Sequence, residues 1–171
     1  AVAVNNIEER RNNKEDLSGV PSGFTLLDKL TNGFQPTDLI IVAARPSVGK
    51  TAFALNLARN AALHPVRPTA VGLFSLEMSN AQLVQRILSA ESGVHMEKIS
   101  RGHLEDHEMQ QLYTKGIQRL SDAPIYLDDT AALNIFELRA KARRMVNKHK
   151  VGMIIIDYLQ LMSGSGENRN M

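Results

Sequence analysis

Residues 40–58 read IIVAARPSVGKTAFALNLA, and the fold turns on what happens in the middle of that stretch. An apolar run gives way to Ala44-Arg45-Pro46-Ser47-Val48-Gly49-Lys50-Thr51, after which apolar residues recur at helical spacing. A loop that cradles phosphates has the pattern G-x-x-x-x-G-K-[ST], and this chain has Ala44 where the first glycine would stand. The physical requirement is looser than the pattern. Consecutive backbone N–H groups must point inward at a helix N-terminus, where the dipole adds positive potential. Gly49 permits close approach, Lys50 supplies a charge for the β and γ phosphates, and the Thr51 hydroxyl can ligate Mg²⁺, provided that a strand precedes the loop and a helix follows it. The sequence predicts both. Arg45, Pro46, Ser47, Val48, Gly49, Lys50 and Thr51 therefore form a candidate nucleotide loop, with Ala44 at its entry, where glycine eases the turn without touching phosphate. The competing reading is an ordinary strand-to-helix turn that contains Gly-Lys-Thr by chance.

Just before the loop, Leu39 to Ala43 is a short continuous apolar run, as expected of a strand covered on both faces by helices. AVGLFS (70–75), PIYLDD (124–129) and VGMIIID (151–157) are three more such runs, separated by intervals long enough for helices. The expected fold class is α/β, a mostly parallel sheet flanked by helices. Ser79 with Gln82 forms a capping box before Leu83, Ile87, Leu88 and Ala90, and Gly93 ends that helix; Asn134 with Glu137 opens another. A further helix is predicted from about Glu105 to Leu120, with Met109, Leu112, Ile117 and Leu120 facing inward. A short helical piece around Leu26, Leu27 and Leu30 is stopped near Gly33.

A chain of 171 residues, 43% hydrophobic and 22% charged, suits one soluble domain with a real core and argues against global disorder or coiled coil. The absence of cysteine excludes a disulfide framework and a thiolate zinc site, and the chain reads as intracellular. No apolar stretch approaches the length of a membrane span, and the N-terminus lacks the basic-then-apolar order of a secretory signal. A formal charge of +2 does not decide nucleic-acid binding, which depends on where cations cluster. Residues 1–17 are polar and read as an arm or linker, and the Ser/Gly-rich residues 164–171 as a mobile tail.

Magnesium held by Thr51 alone would be poorly positioned, so a phosphate loop needs an acidic residue at the end of a neighbouring buried strand. MIIIDYLQL offers Asp157, for which a capping or turn role is the alternative. Hydrolysis further requires a group that orients or deprotonates the attacking water. Glu77, just past VGLFSL, is the candidate; its alternative is an acidic residue in the first turn of the next helix, favoured there by the dipole. His103 and His107 have the i, i+4 spacing of a metal pair, but no third ligand is evident and a solvated helix start is the better reading. LRAKARRMVNKHK carries Arg139, Lys141, Arg143, Arg144, Lys148, His149 and Lys150 on more than one face, over a predicted buried stripe of Leu138, Ala142, Met145 and Val146. It reads as a solvated face or, less favoured, as a surface for an acidic partner or nucleic acid.

The blocks SGVPSGFTLLDKLTNGFQPTDLIIVAARPSVGKTAFALNLA, GLFSLEMS and IIIDYLQLM, in this order over residues 18–163, closely resemble the ATPase domain of bacterial replicative DNA helicases of the DnaB type. The resemblance implies a RecA-like P-loop NTPase core over 18–163, here incomplete at its C-terminal side, in which the variant loop ARPSVGKT is tolerated. It implies a homohexamer that hydrolyses ATP or another NTP with Mg²⁺ and translocates on single-stranded DNA. Lys50 and Thr51 would hold phosphates and metal, Glu77 would be the catalytic base, and Asp157 would serve the metal. The implied partners are primase, a helicase loader and a clamp-loader subunit, and the implied location is the bacterial cytoplasm near the nucleoid. The resemblance also implies a sensor strand between the strands of the loop and of Asp157, together with DNA-binding loops and an arginine finger, none of which these 171 residues contain. Three other readings stay open: a RecA-family recombinase or clock ATPase, a P-loop small-molecule kinase, and a non-catalytic nucleotide-binding module.

Overall fold

The computed structural model describes residues 17–158. The arm, apart from Leu17, and the tail lie outside the described residues. Three parallel strands, β1 (Val71–Ser75), β2 (Ile125–Asp128) and β3 (Met153–Asp157), form a sheet in the order β2-β1-β3. Each of the three runs predicted as strands at 70–75, 124–129 and 151–157 is one of these. The intervening helices are α1 (Thr25–Thr31), α2 (Lys50–Ala62), α3 (Asn80–Ser92), α4 (Met96–Arg101), α5 (Asp106–Gln111), α6 (Gln118–Leu120) and α7 (Ile135–His149), with a π-helical stretch at Leu112–Ile117 joining α5 to α6.

β1 is buried at every position because it is the central strand and helices cover both its faces. Successive side chains of a strand point to opposite faces. Val71 and Leu73 pack with Leu55, Ala58 and Ala61 of α2 and with Leu83 and Ile87 of α3. Phe74 packs with Leu133 and with Leu138 of α7, joined by Ala142, Met145 and Ile156. Gly72 is required by this second layer, since a Cβ there would lie 2.9 Å from the Met145 sulfur. Full burial of a side chain such as Phe74 contributes about 1.5–3 kcal/mol relative to exposure. The result is helix, sheet, helix, with the C-terminal ends of all three strands at one edge.

The capping boxes are formed as expected. Ser79 accepts from Gln82 N–H and Asn134 accepts from the N–H groups of Phe136 and Glu137, each with the reciprocal glutamine or glutamate contact. A buried carboxylate fixes the segment before the loop: Asp28 of α1 accepts from the N–H groups of Ser22 at 2.8 Å and Gly23 at 3.1 Å.

Three expectations are corrected. Leu39–Ala43 is not a strand, and Leu39 and Ile41 are 86% and 78% exposed. A strand exists only where a neighbour takes its N–H and C=O groups; among the described residues β3 pairs with β1 alone, and no strand lies beside 39–43. The inward positions of the 105–120 region are Leu112, Gly116 and Leu120, while Met109 and Ile117 are exposed. The wider π turn changes the helical phase, and Gly116 allows close packing on α3, where a Cβ would stand 3.2 Å from Leu88. On α7, Leu138 is buried and Ala142 and Met145 pack beneath it, but Val146 is 40% exposed.

Candidate nucleotide-binding site

The helix predicted to follow Gly49 is α2, which starts at Lys50; the strand predicted to precede the loop is the unpaired segment 39–43. Gly49 is the residue before the first turn, with φ 106°, and Ser47 also lies in the left-handed region at φ 64°. These two left-handed residues flank Val48, whose N–H donates to the Arg45 carbonyl at 3.4 Å, so the loop makes a tight turn at the helix N-terminus. Among the described residues no side chain caps α2 at Gly49, which leaves its first N–H groups without a capping side chain. A Cβ at Gly49 would meet nothing within 4 Å; it is the backbone angle, not crowding, that favours glycine. The loop from Arg45 to Gly49 is exposed.

Asp157 is the other half of the site. It ends β3, is 5% exposed, and stands in register with Ser75 at the end of β1. Its Oδ2 accepts from the Thr51 hydroxyl at 2.6 Å, and its Oδ1 lies 3.1 Å from Lys50 Nζ. The Lys50 ammonium also sits over the Tyr158 ring, 4.0 Å from its centroid, a cation–π contact. A buried carboxylate is tolerated when it is paired and hydrogen-bonded, and both conditions are met here by two consecutive residues at the start of α2. The Asp157 carbonyl accepts from Leu76 N–H at 2.8 Å, joining the end of β3 to the loop after β1.

A hydroxyl beside a carboxylate is a pair of hard oxygen donors of the kind Mg²⁺ takes while keeping several waters, so Thr51 and Asp157 fit that ion. Among the described residues no group of three or more His, Cys, Asp or Glu could hold a metal. A cation at Thr51 and Asp157 would thus draw its remaining ligands from phosphate oxygens and water.

Glu77 stands one residue beyond Leu76, exposed, at the same edge of the sheet. It has no hydrogen bond or ion pair among the described residues. His103 lies in the turn between α4 and α5, and His107 Nδ1 faces Glu105 at 3.3 Å, so their spacing is not realised on a helix. Of the basic stretch, Lys141 is turned inward to Asp128 at 2.6 Å, whereas Arg139, Arg143, Arg144, Lys148 and Lys150 are exposed and His149 stacks on Tyr126. Burial pushes the Asp128 carboxyl up, but hydrogen bonds from Lys141 and from Thr130 outweigh it and hold the group below its ordinary value.

Sequence reasoning missed Tyr158, Asp129 and Asn80. Asp129 accepts twice from Asn80, from its N–H at 2.8 Å and its side-chain amide at 3.0 Å. The signal for it was the second aspartate of PIYLDD, at the C-terminal end of a strand that belongs to the same sheet edge as Asp157.

Residues 19–171 match the family described as DnaB-like helicase C terminal domain. The replicative DNA helicase DnaC of Bacillus subtilis is 49% identical over 165 residues, covering 96% of this chain and 36% of that protein. The replicative DNA helicase DnaB of Geobacillus stearothermophilus is 49% identical over 164 residues, again covering 96% and 36%. Among solved structures, an ATPase domain superposes with a TM-score of 0.85 at 31% identity over 99% of this chain and 60% of that one. A DnaB-like replicative helicase whose structure was described with its interactions with primase gives 0.82 at 31% identity over 99% and 40%. The chain spans about a third of the length of the two curated relatives. These matches lead to one conclusion: this chain, with its RecA-like core, belongs to the DnaB-like helicase C-terminal domain family.

Proposed function

We propose that this chain is the nucleotide-binding part of an ATP-driven replicative DNA helicase motor. The observation that carries the reading is the convergence of Thr51 and Lys50 on Asp157, which joins the phosphate loop to the end of a buried strand. In this reading the backbone of Arg45, Pro46, Ser47, Val48 and Gly49 wraps the phosphates, and Lys50 exchanges part of its contact with Asp157 for the β and γ oxygens. Thr51 and Asp157 hold the Mg²⁺, which when bound neutralises charge on the phosphate oxygens. Glu77, without another partner among the described residues, accepts a proton from a water that attacks the γ phosphorus; the bond to the β–γ bridging oxygen breaks, leaving ADP and inorganic phosphate. A charge-assisted contact such as Lys50 to phosphate is about twice as strong as a neutral hydrogen bond.

The wider reading, which family membership supports, is a homohexamer acting on single-stranded DNA in the bacterial cytoplasm at the nucleoid, with primase, a helicase loader and a clamp-loader subunit as partners. Among the described residues no helix is long and apolar enough to cross a membrane. The test is ATP turnover by a protein carrying this domain at its relatives' full length, with and without single-stranded DNA. Turnover raised by DNA and abolished in Glu77→Gln, with Mg-ATP binding retained, supports the motor. Transfer to a small-molecule acceptor with no response to DNA would replace it by a kinase, and binding without turnover by a module.

A further inference from the structure

The loop between β1 and α3 carries Glu77, and the residues around it are fastened on three sides. Leu76 N–H donates to the Asp157 carbonyl at 2.8 Å. Met78 N–H donates to the Ser75 hydroxyl at 3.0 Å, and Ser75 is buried. Asn80, the first residue of α3, donates its N–H to Asp129 Oδ2 at 2.8 Å and its side-chain amide to Asp129 Oδ1 at 3.0 Å. Hydrogen bonds to a charged acceptor are stronger than neutral ones.

Asp129 is well placed to act as an anchor. Asp128 ends β2, in register with Phe74 of β1, and is tied to Lys141 of α7 on one face of the sheet. Asp129, the next residue, reaches α3, which packs on the opposite face. The consecutive aspartates thus bind the end of β2 to both helical layers. Asp129 is exposed and both contacts lie at the surface, while Asn80 Oδ1 is buried without a hydrogen-bond partner among the described residues. An orphaned buried acceptor is unfavourable, and turning the amide over would set its oxygen against the Asp129 carboxylate.

We propose that Asp129 is a positioning residue for nucleotide hydrolysis: through Asn80 it fixes the start of α3 and thereby the loop that presents Glu77. The proposal rests on Glu77 being the base. A displacement of about 1 Å in a reacting group costs on the order of 100-fold in rate, so a loop held at Leu76 and Met78 but loosened at Asn80 would lose rate without losing the phosphate loop, which Asp129 does not touch.

The test uses the protein at its relatives' full length with Asp129→Ala and Asp129→Asn, measuring kcat and KM for ATP, the Mg-ATP dissociation constant and the melting temperature. Asp129→Ala is expected to lower kcat roughly 10- to 100-fold with KM and the dissociation constant unchanged, and Asp129→Asn to recover part of the loss because one oxygen still accepts from Asn80. A lowered melting temperature with kcat intact would assign Asp129 to stability alone and overturn the proposal. Should Asp129→Ala fail to fold, Asp129→Asn and Asn80→Ala carry the same test, and unchanged kcat in both overturns it. Glu77→Gln, run in parallel, separates the two assignments: turnover surviving that change sinks the base, whereas its loss alongside full kcat in the Asp129 variants sinks the positioning role alone.

Discussion

Thr51 and Asp157 stand 106 residues apart in sequence and 2.6 Å apart in space, hydroxyl to carboxylate, across the junction of α2 and β3. That contact joins the start of α2 to the end of a buried strand, and in the proposed function it is the place where a Mg²⁺ ion would be held.

Asp157→Asn is therefore expected to weaken Mg²⁺-dependent ATP binding by about 10- to 100-fold, the usual effect of disturbing the groups that hold and orient a metal's ligands. ATP binding measured with excess chelator should change far less. Equal losses with and without Mg²⁺ would contradict a metal role.

Gly49→Ala places a side chain at φ 106°, a conformation that costs on the order of 1–3 kcal/mol for a non-glycine residue. Because the space around it is open, the loss should appear as a distorted loop: reduced ATP affinity with a melting temperature lowered by only a few degrees. Calorimetry and a thermal melt on the same sample check it, and unchanged affinity would show that the left-handed backbone is not needed for binding.

Much of the site was legible because its chemistry is local in sequence. Gly49, Lys50 and Thr51 are consecutive, and capping boxes at Ser79 and Asn134 declare two helix starts within four residues each. What could not be read is what depends on partners. Leu39–Ala43 has a strand's composition, but its pairing requires a neighbour that the described residues do not supply. The phase of the 105–120 helix shifts through a π turn that hydrophobic spacing does not encode, moving the inward position from Ile117 to Gly116. Asn80 and Asp129 meet across 49 residues, a pairing that no local motif specifies.

The exposed run Leu39, Ile40, Ile41 and Val42 and the outer edge of β3, unpaired among the described residues and with Ile154 38% exposed, bear on solubility. Unpaired strand edges and apolar runs of this kind drive self-association. A polypeptide of these 171 residues is expected to form concentration-dependent oligomers by light scattering, and Leu39→Lys with Ile41→Lys to reduce them. Monodisperse behaviour of the unaltered polypeptide at high concentration would contradict this.

Asp128 gives a pH dependence of definite sign. Burial raises its pKa, but the Lys141 and Thr130 hydrogen bonds lower it further, so the folded value lies below the unfolded 3.8. Its contribution is then present in full above the unfolded pKa and is lost as pH falls through the lower, folded value. Melting temperatures between about pH 2 and pH 7 should show Asp128→Asn destabilised at neutral pH, with the gap to the unaltered protein closing in acid. A gap constant across that range would remove Asp128 from the acid response.

Everything proposed for this site depends on residues 45–51 holding a nucleoside triphosphate through Lys50. The decisive experiment is isothermal titration of Mg-ATP into the unaltered protein and into Lys50→Ala. Loss of the charge-assisted phosphate contact should weaken binding by roughly 10-fold or more, since about 1.5–3 kcal/mol is at stake, with the fold intact by circular dichroism. Unchanged affinity in Lys50→Ala would contradict the assignment of this loop as the phosphate site.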